Sequence, residues 1–450
     1  MNGIADEKSS SFITRTPDFN SMIRITFWTG LGFIFFMFIK SYVVIYFFGG
    51  SGIDLGIIMA LQPLARLISM PFIAHLTDRY SKKRLILIGS MGRTIAYFLY
   101  WLSLVVHNLQ IFGVGTFLQG LLVGFFWPPF YALISEKSYK GNRTQALAMG
   151  RGKMIGYGFL IGAFISIPIF AVFNFFMPEN IALVYSPLLI FAIINLIAGH
   201  RFYLKVDETL TFEKYRDSIN DPVKRRANIN YKENFYNEDN NRKEIKPKKL
   251  FNIGFITLIF AILVTSISGT MYSPFISAYL IENLLIGLSK IIIPIIVMIV
   301  YFPAQVLSQL LASEVGKIVD RISPSVSVLF INGFKSLMIL LLIFTFTPFD
   351  FAVILIFLYL ALESNTYFIQ AIMSRISIKH RGKIFGLNIW IDQLGRTIGP
   401  LLGGILWDTL AYAAPFIISI FIGIGLIPVF IFAIKKMSFH LVEQVEVNGD

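Results

Sequence analysis

The sequence predicts an all-α polytopic membrane protein with twelve transmembrane helices in two pseudo-symmetric six-helix halves. Three observations predict it. Apolar runs of about 20 residues, the length that crosses a bilayer's hydrocarbon core, recur along the whole chain. The connections between those runs alternate between nearly uncharged and strongly basic. One short charged loop occurs twice, 242 residues apart.

Composition supports the first observation. Of 450 residues, 56% are apolar and 14% are charged, against about 25% charged in an ordinary soluble domain. Helices suit such a chain because they satisfy their own backbone hydrogen bonds where lipid offers none. Residues 1–21 contain Asp6, Glu7 and a serine-rich stretch rather than a basic start, an apolar core and a small-residue cleavage site. The first run is therefore expected to remain as a spanning helix. The absence of cysteine excludes disulfides, Cys-ligated metals and thiol chemistry. Neither an H-E-x-x-H zinc motif nor a phosphate-binding G-x-x-x-x-G-K-[ST] loop is present. An enzyme is not expected, nor a cofactor or metal, and energy is expected from an ion gradient.

The spans fall at about 22–48, 55–76, 85–106, 109–134, 146–172 and 181–204, then 251–280, 291–312, 325–346, 350–374, 384–407 and 411–434. The connections at 49–54, 107–110, 173–180, 281–290, 347–350 and 408–410 hold one basic residue, Lys290, while the other five hold 25. Basic residues stay in the cytoplasm, so both termini and the five basic loops are expected there. The net charge of +13 is then mostly a topology signal, and nucleic acid is not an expected partner. The connection at 205–250 has twelve basic and nine acidic residues, seven Asn and no apolar period. Such a composition buries too little to fold alone, and it reads as a mobile cytoplasmic linker. Its clusters "VKRRA" and "KPKKL" suit anionic lipid headgroups. The expected division is a tail at 1–21, a half at 22–204, the linker at 205–250, a half at 251–434 and a tail at 435–450.

The repeated loop is "AHLTDRYSKKR" (74–84) between spans 2 and 3, and "GKIVDRIS" (316–323) between spans 8 and 9. Arg93 and Lys335 share the same offset, and the basic loops 136–143 and 375–383 also correspond. Six-helix halves in parallel, related by an axis along the membrane normal, are a known carrier design. The loop is similar to the G-x-x-x-D-R/K-x-G-R-K/R signature of the major facilitator superfamily. Asp78, Arg79, Lys82 and Lys83 match, while Ala74 and Ser81 replace the usual glycines; Gly316 restores the first glycine in the second copy. "GRTIGPLLGG" (395–404) resembles a glycine–proline pattern of span 11 in many members.

The resemblance implies a major facilitator fold, with spans 1, 4, 7 and 10 lining a central cavity and 2, 5, 8 and 11 forming the seam between halves. It also implies that the repeated loop latches the halves at the cytoplasmic side. Asp78, Arg79, Lys82 and Lys83 would act there with Glu136, the expected partner of Arg79. Asp320 and Arg321, following Gly316, would act with Arg375, which suits Asp320. Topology alone accounts for Lys82, Lys83 and Arg84, but not for two aspartates in loops that need only positive charge.

Ionisable groups in the hydrocarbon zone are functional candidates because they are costly to hold there. Glu363 lies near the middle of span 10, beside Asn365 and above Gln370. Arg66 lies mid-span 2, and Lys40 in the outer third of span 1, where snorkelling is the competing role. Asp392 and Arg396 are four residues apart on span 11 and can pair on one face. Span 4, "QGLLVGFFWPPFYALIS", offers Gln119 and the aromatics Trp127 and Tyr131, with Pro128–Pro129 bending the helix. For the aromatics, plain packing competes with stacking on a solute.

Together these features predict a secondary active transporter that moves a small organic solute by alternating access, coupled to protons. The expected partners are that solute, leaning towards one with an anionic group, protons or another coupling ion, and membrane lipids, with the protein acting as a monomer. A drug-efflux antiporter, and a lipid-handling or sensor protein on the same fold, are the alternatives. Two departures weigh against the antiporter: Thr116 stands where such members carry an arginine, and span 5 keeps the glycines of "GYGFLIGA" without the antiporter proline motif.

Overall fold

Capping side chains mark several of the helix starts, as at Ser51, Ser81, Asn108 and Asn180. The computed structural model describes residues 15–139, 146, 149, 154–218, 253–320, 323–376 and 381–437. Helix α1 spans Phe19–Tyr42 and continues as a π-turn over Val43–Phe47; α2 spans Gly52–Arg79 and α3 spans Lys82–Val105. The fourth run is split into α4 (Leu109–Val123) and α5 (Trp127–Glu136). Pro128 and Pro129 occupy the first turn of α5, where no intrahelical donor is needed. Next come α6 (Met154–Phe176), a short α7 (Ile181–Val184), α8 (Ser186–Lys205) and α9 (Phe212–Ser218).

The second half repeats the scheme. Helix α10 (Ile253–Tyr272) passes through a 3₁₀ turn into α11 (Ile276–Leu284). It is followed by α12 (Ile293–Asp320), α13 (Pro324–Ile343), α14 (Pro348–Ile376), α15 (Arg381–Thr409) and α16 (Ala414–Met437). Among the described residues, ten helical segments are long and apolar enough to cross a membrane. Helices α1 and α15 lie outside that set but are of spanning length, at 24 and 29 residues. The polarity of α15 comes partly from Asp392 and Arg396 near its middle.

Within the halves, α1 packs on α6 and α8, and α3 on α4 and α8; α10 packs on α15 and α16, and α12 on α14. The broadest contact between halves joins α2 to α15, and a smaller one joins α6 to α12. Glycines set the α15 packing. A Cβ on Gly399 would strike the backbone of Ile267 and Met271 in α10, and one on Gly404 would strike Gly52 and Ile53 in α2. Small residues at such faces let helices approach closely when no water drives them together. One apolar core runs through both halves, including Phe35, Tyr97 and Phe191 from the first and Tyr272, Leu358 and Phe416 from the second.

Among the described residues, hydrogen bonds between the halves gather at the end opposite the basic loops, here the far end. The Asp408 carboxylate accepts from the Gly52 and Ile53 N–H groups, both at 2.8 Å. Ser51 Oγ accepts from Asp54 N, while the Asp54 carboxylate accepts from Ser51 N at 2.8 Å. The orphan donors of α2's first turn are thus shared between its own capping box and a carboxylate from the other half. Ser41 Oγ donates to Pro274 O at 2.6 Å, Tyr46 OH to Glu282 Oε1 at 2.7 Å, and Asn174 Nδ2 to Ile291 O at 2.6 Å.

At the basic end, the described polar contacts tie pieces of the first half to one another. Buried Lys137 Nζ donates to Asp18 Oδ2 at 2.7 Å and to the carbonyls of Asp207 (2.6 Å) and Leu210 (2.9 Å). Glu208 accepts from Ser81 Oγ (2.6 Å) and Lys82 N (2.7 Å), capping α3. The connection after residue 205 thus begins as anchored structure, not as a free tether. Burial works against the ionised Glu208 carboxyl, but its hydrogen bonds from Ser81, Lys82 and Lys83 outweigh it and hold the group below the usual glutamate range. Lys83 Nζ also sits over the Tyr203 ring at 5.1 Å.

The expected partner of Glu136 is corrected. Its Oε1 lies 3.1 Å from Lys82 Nζ, and Arg79 is exposed. Lys82 opens α3 and projects towards the end of α5, whereas Arg79 closes α2 one turn away, beyond the break at Tyr80. The side chains of Asp78, Asp320 and Arg375, the position of Gly316 beyond its helix, and Arg321 lie outside the described residues.

Candidate functional site

The central charges share one depth. At 1.5 Å per residue, Arg66 lies about 21 Å from the far end of α2, Glu363 about 22 Å along α14, and Arg396 about 20 Å from the far end of α15. These helices have 28, 29 and 29 residues, so each group sits near mid-helix. Different helices therefore deliver them to one level of the bundle.

Contacts link them into a chain. Lys40 Nζ donates to Gln62 Oε1 at 3.0 Å. Lys40 is buried within the bundle, so it does not snorkel to the outer surface. Gln62 is one turn from Arg66 on α2 and shares its face. Arg66 lies within electrostatic reach of Arg396, Arg93, Tyr131 and Asp392. Arg396 Nε donates to Asp392 Oδ2 at 2.7 Å, and Ser266 Oγ of α10 donates to Oδ1 at 2.7 Å. Arg396 also feels Glu363, whose Oε1 accepts from Gln309 Nε2 of α12 at 2.9 Å.

The Arg396 side chain is 47% exposed and that of Asp392 is 28% exposed. This mid-helix guanidinium lies in the field of charges on α2 and α14, the side on which an ionised group at this depth is least costly. Trp127 and Tyr131 stack at 5.6 Å with their planes 27° apart, and Tyr131 reaches the field of Arg66. An aromatic wall thus adjoins the charges.

Two candidates sit elsewhere. Gln119 is buried, and its Oε1 accepts from Tyr100 OH at 2.7 Å, so it belongs to the packing of α4 on α3. Asn365 is buried two residues past Glu363, which turns it about 200° round α14, away from that carboxylate. The Gln370 side chain lies outside the described residues. Arg93 donates to Thr29 O at 3.3 Å and lies over the Phe126 ring at 5.5 Å, a packing role. Gln62, Ser266 and Gln309 were missed because they are uncharged; the signal was a polar amide in mid-span, and for Gln62 the one-turn spacing to Arg66. Among the described residues no group of acidic or histidine side chains has the arrangement of a metal site.

Comparison with known proteins agrees with this architecture. The Major Facilitator Superfamily profile matches residues 22–371. Multidrug resistance protein 2 of Bacillus subtilis is 25% identical over 393 residues, covering 84% of this chain and 86% of that protein. Quinolone resistance protein NorA of Staphylococcus aureus is 25% identical over 417 residues, covering 89% and 91%. Among solved structures, the nucleoside transporter NupG superposes with a TM-score of 0.61 at 12% identity, covering 93% of this chain and 98% of that one. A bacterial homolog of the lysosomal transporter Spinster gives 0.60 at 14% identity, covering 95% and 94%. At those identities the structural likeness speaks to the fold alone. A multi-pass bundle, paired halves and a profile match over most of the length lead to one conclusion: the chain belongs to the Major Facilitator Superfamily and is a membrane transporter, not an enzyme.

Proposed function

We propose that this protein is a proton-coupled exporter of a small organic solute, working by alternating access with Glu363 as the coupling carboxyl. The observation that carries the reading is the Glu363 environment. It is a mid-helix carboxylate with a neutral amide donor, Gln309, at 2.9 Å, and the Arg396 guanidinium within electrostatic reach. Burial disfavours a charged carboxylate, and a nearby guanidinium favours it. The two influences change balance when the halves move, and a proton that binds one conformer better than the other drives the exchange. Export is favoured because the full-length relatives are named for multidrug and quinolone resistance.

The far-end contacts support a state closed on that side and facing the basic end. With basic loops in the cytoplasm, that state is inward-facing, with both termini cytoplasmic and the chain in the cell membrane. The halves are residues 22–204 and 251–434, joined by the segment at 205–250.

Transport assays in everted membrane vesicles test the coupling role. Glu363→Gln is expected to abolish accumulation driven by a proton gradient while solute exchange persists. Wild-type, pH-dependent accumulation by that variant would overturn the reading.

A further inference from the structure

The two halves treat one matched pair of residues differently. Arg93 and Thr94 on α3 stand 242 residues before Lys335 and Ser336 on α13, the offset of the repeated loop. In the first half the protein satisfies both. Arg93 donates to Thr29 O and lies over the Phe126 ring, while Thr94 Oγ1 donates to Ser90 O at 3.2 Å and Ala192 O at 3.0 Å. In the second half it satisfies neither. Lys335 is 1% exposed and Ser336 3% exposed. Among the described residues no charged side chain reaches Lys335, and none forms a hydrogen bond or ion pair with it. Ser336 Oγ is buried there without a hydrogen-bond partner. Buried serines such as Ser166 and Ser364 bond the carbonyl four residues earlier in their own helix, and Ser336 does not.

Lys335 lies about 17 Å along α13, near the middle of its 20 residues. Apolar side chains flank it along the bundle: Val328, Ile331 and Leu426 towards the basic end, Ile339, Leu342 and Phe416 towards the far end. Gly423 of α16 faces it from across the helix pair. A Cβ on Gly423 would lie 2.7 Å from Ser336 Oγ and 3.9 Å from Lys335 Nζ. The ammonium and the hydroxyl thus border one point on α16, less than about 7 Å apart, a span that one acceptor can bridge. Asn332 shares this face of α13, and its buried Oδ1 has no partner, which suits a remaining N–H of the ammonium. A buried ammonium is costly without a counter-charge. What the cluster lacks is a negative charge.

We propose that the second half binds a small monovalent inorganic anion of the halide class, such as chloride, between α13 and α16. The anion accepts from Lys335 Nζ and Ser336 Oγ beside Gly423 and ties the two helices together. One cation calls for one negative charge, and the near-complete burial of Lys335, Asn332 and Ser336 leaves no room for an organic body. The anion does for Lys335 what Thr29 O and the Phe126 ring do for Arg93: it holds a buried cation in place. This site is separate from the one around Glu363, and it stands whether or not that carboxyl couples protons.

Thermal unfolding of the purified full-length protein tests this, in sodium chloride and in sodium gluconate of equal ionic strength. Gluconate is too large to enter. Chloride should raise the transition saturably, by about 3 °C, because it binds the folded state alone. Bromide should act in the same way. Lys335→Met, neutral and of similar length, should melt alike in both salts. A wild-type protein that melts alike in chloride and gluconate, or a chloride response that survives in Lys335→Met, overturns the proposal. If Lys335→Met does not fold, wild-type crystals grown in bromide decide the matter by anomalous scattering. A bromide peak within hydrogen-bonding reach of Lys335 Nζ supports the site. No peak there means that the lysine is neutral or hydrated, and the proposal falls.

Discussion

The two ends of the bundle spend their polar groups differently. At the far end, carboxylates, hydroxyls and amides reach across the seam: Asp408 to the start of α2, Tyr46 to Glu282, Asn174 to Ile291 O. At the basic end, Lys137 and Glu208 bind the approach to α1, the start of α3 and the segment after α8 into one unit within the first half. In this arrangement the far end joins the halves, and the described part of the basic end stiffens one of them. Contacts across the seam must break in each cycle, and each half must move as a body.

Changes at the far-end seam should therefore impair cycling, and changes at the basic end should impair stability instead. The largest effect is expected from Gly404→Ala. The added methyl meets only backbone, Gly52 O and the Ile53 Cα, so nothing flexible can yield. Overpacking of this kind costs about 1–3 kcal/mol, enough to hold the far end open and cut the transport rate about tenfold or more. Transport at the wild-type rate in a correctly inserted Gly404→Ala protein would mean that the α2–α15 contact is not needed for closure.

Asp408→Ala comes next. It removes the acceptor of two N–H groups at the start of α2 while the Ser51–Asp54 box remains. Loss of a helix cap costs about 1 kcal/mol, so the closed far end should lose about fivefold in population. Water accessibility of a reporter placed near Tyr46 would measure it. An unchanged accessibility contradicts the assignment.

The smallest effect on transport is expected from Glu208→Gln, within about twofold. The readout is stability. Because folding holds the Glu208 carboxyl below its usual range, the carboxylate contributes stability that is present above its unfolded value of about 4.3 and lost as pH falls through the folded value. The variant should melt lower than wild type at neutral pH, by about 2 °C or less, and the gap should close in acid. A gap that widens in acid would reverse the sign and sink the idea.

Much of the bundle was legible because lipid imposes a simple rule: a span must be apolar for about 20 residues. Helix ends were less so. Helix α2 starts at Gly52 because Ser51 and Asp54 form a capping box, and it runs to Arg79, past the apolar stretch that ended near 76. Hydropathy measures the length facing lipid, whereas caps and solvent decide where a helix stops. At the candidate site, Glu363, Arg66, Asp392 and Arg396 stood out in the sequence because charge in mid-span is rare. Their partners were not: Gln309, Ser266 and Gln62 lie on other helices or carry no charge, and which helix faces which is absent from local spacing. Asp408 read as a loop charge, since nothing in its own segment reveals that the start of α2 lies beside it. Gln119 misled because a polar residue in a span can serve helix packing as well as a solute.

The central claim is that protonation of Glu363 shifts the balance between two arrangements of the halves. The chain has no cysteine, so pairs of spin labels can be placed without background. One pair, at Asn180 and Leu288, would report the far end; a second, at Lys205 and Ser323, the basic end. Distance distributions from double electron–electron resonance, recorded from pH 5 to pH 8 in nanodiscs, test the claim directly. The expected result is that the two distances change in opposite directions with pH in the wild-type background and become insensitive to pH in Glu363→Gln. Distances that change together, or a pH response that survives in Glu363→Gln, would contradict it.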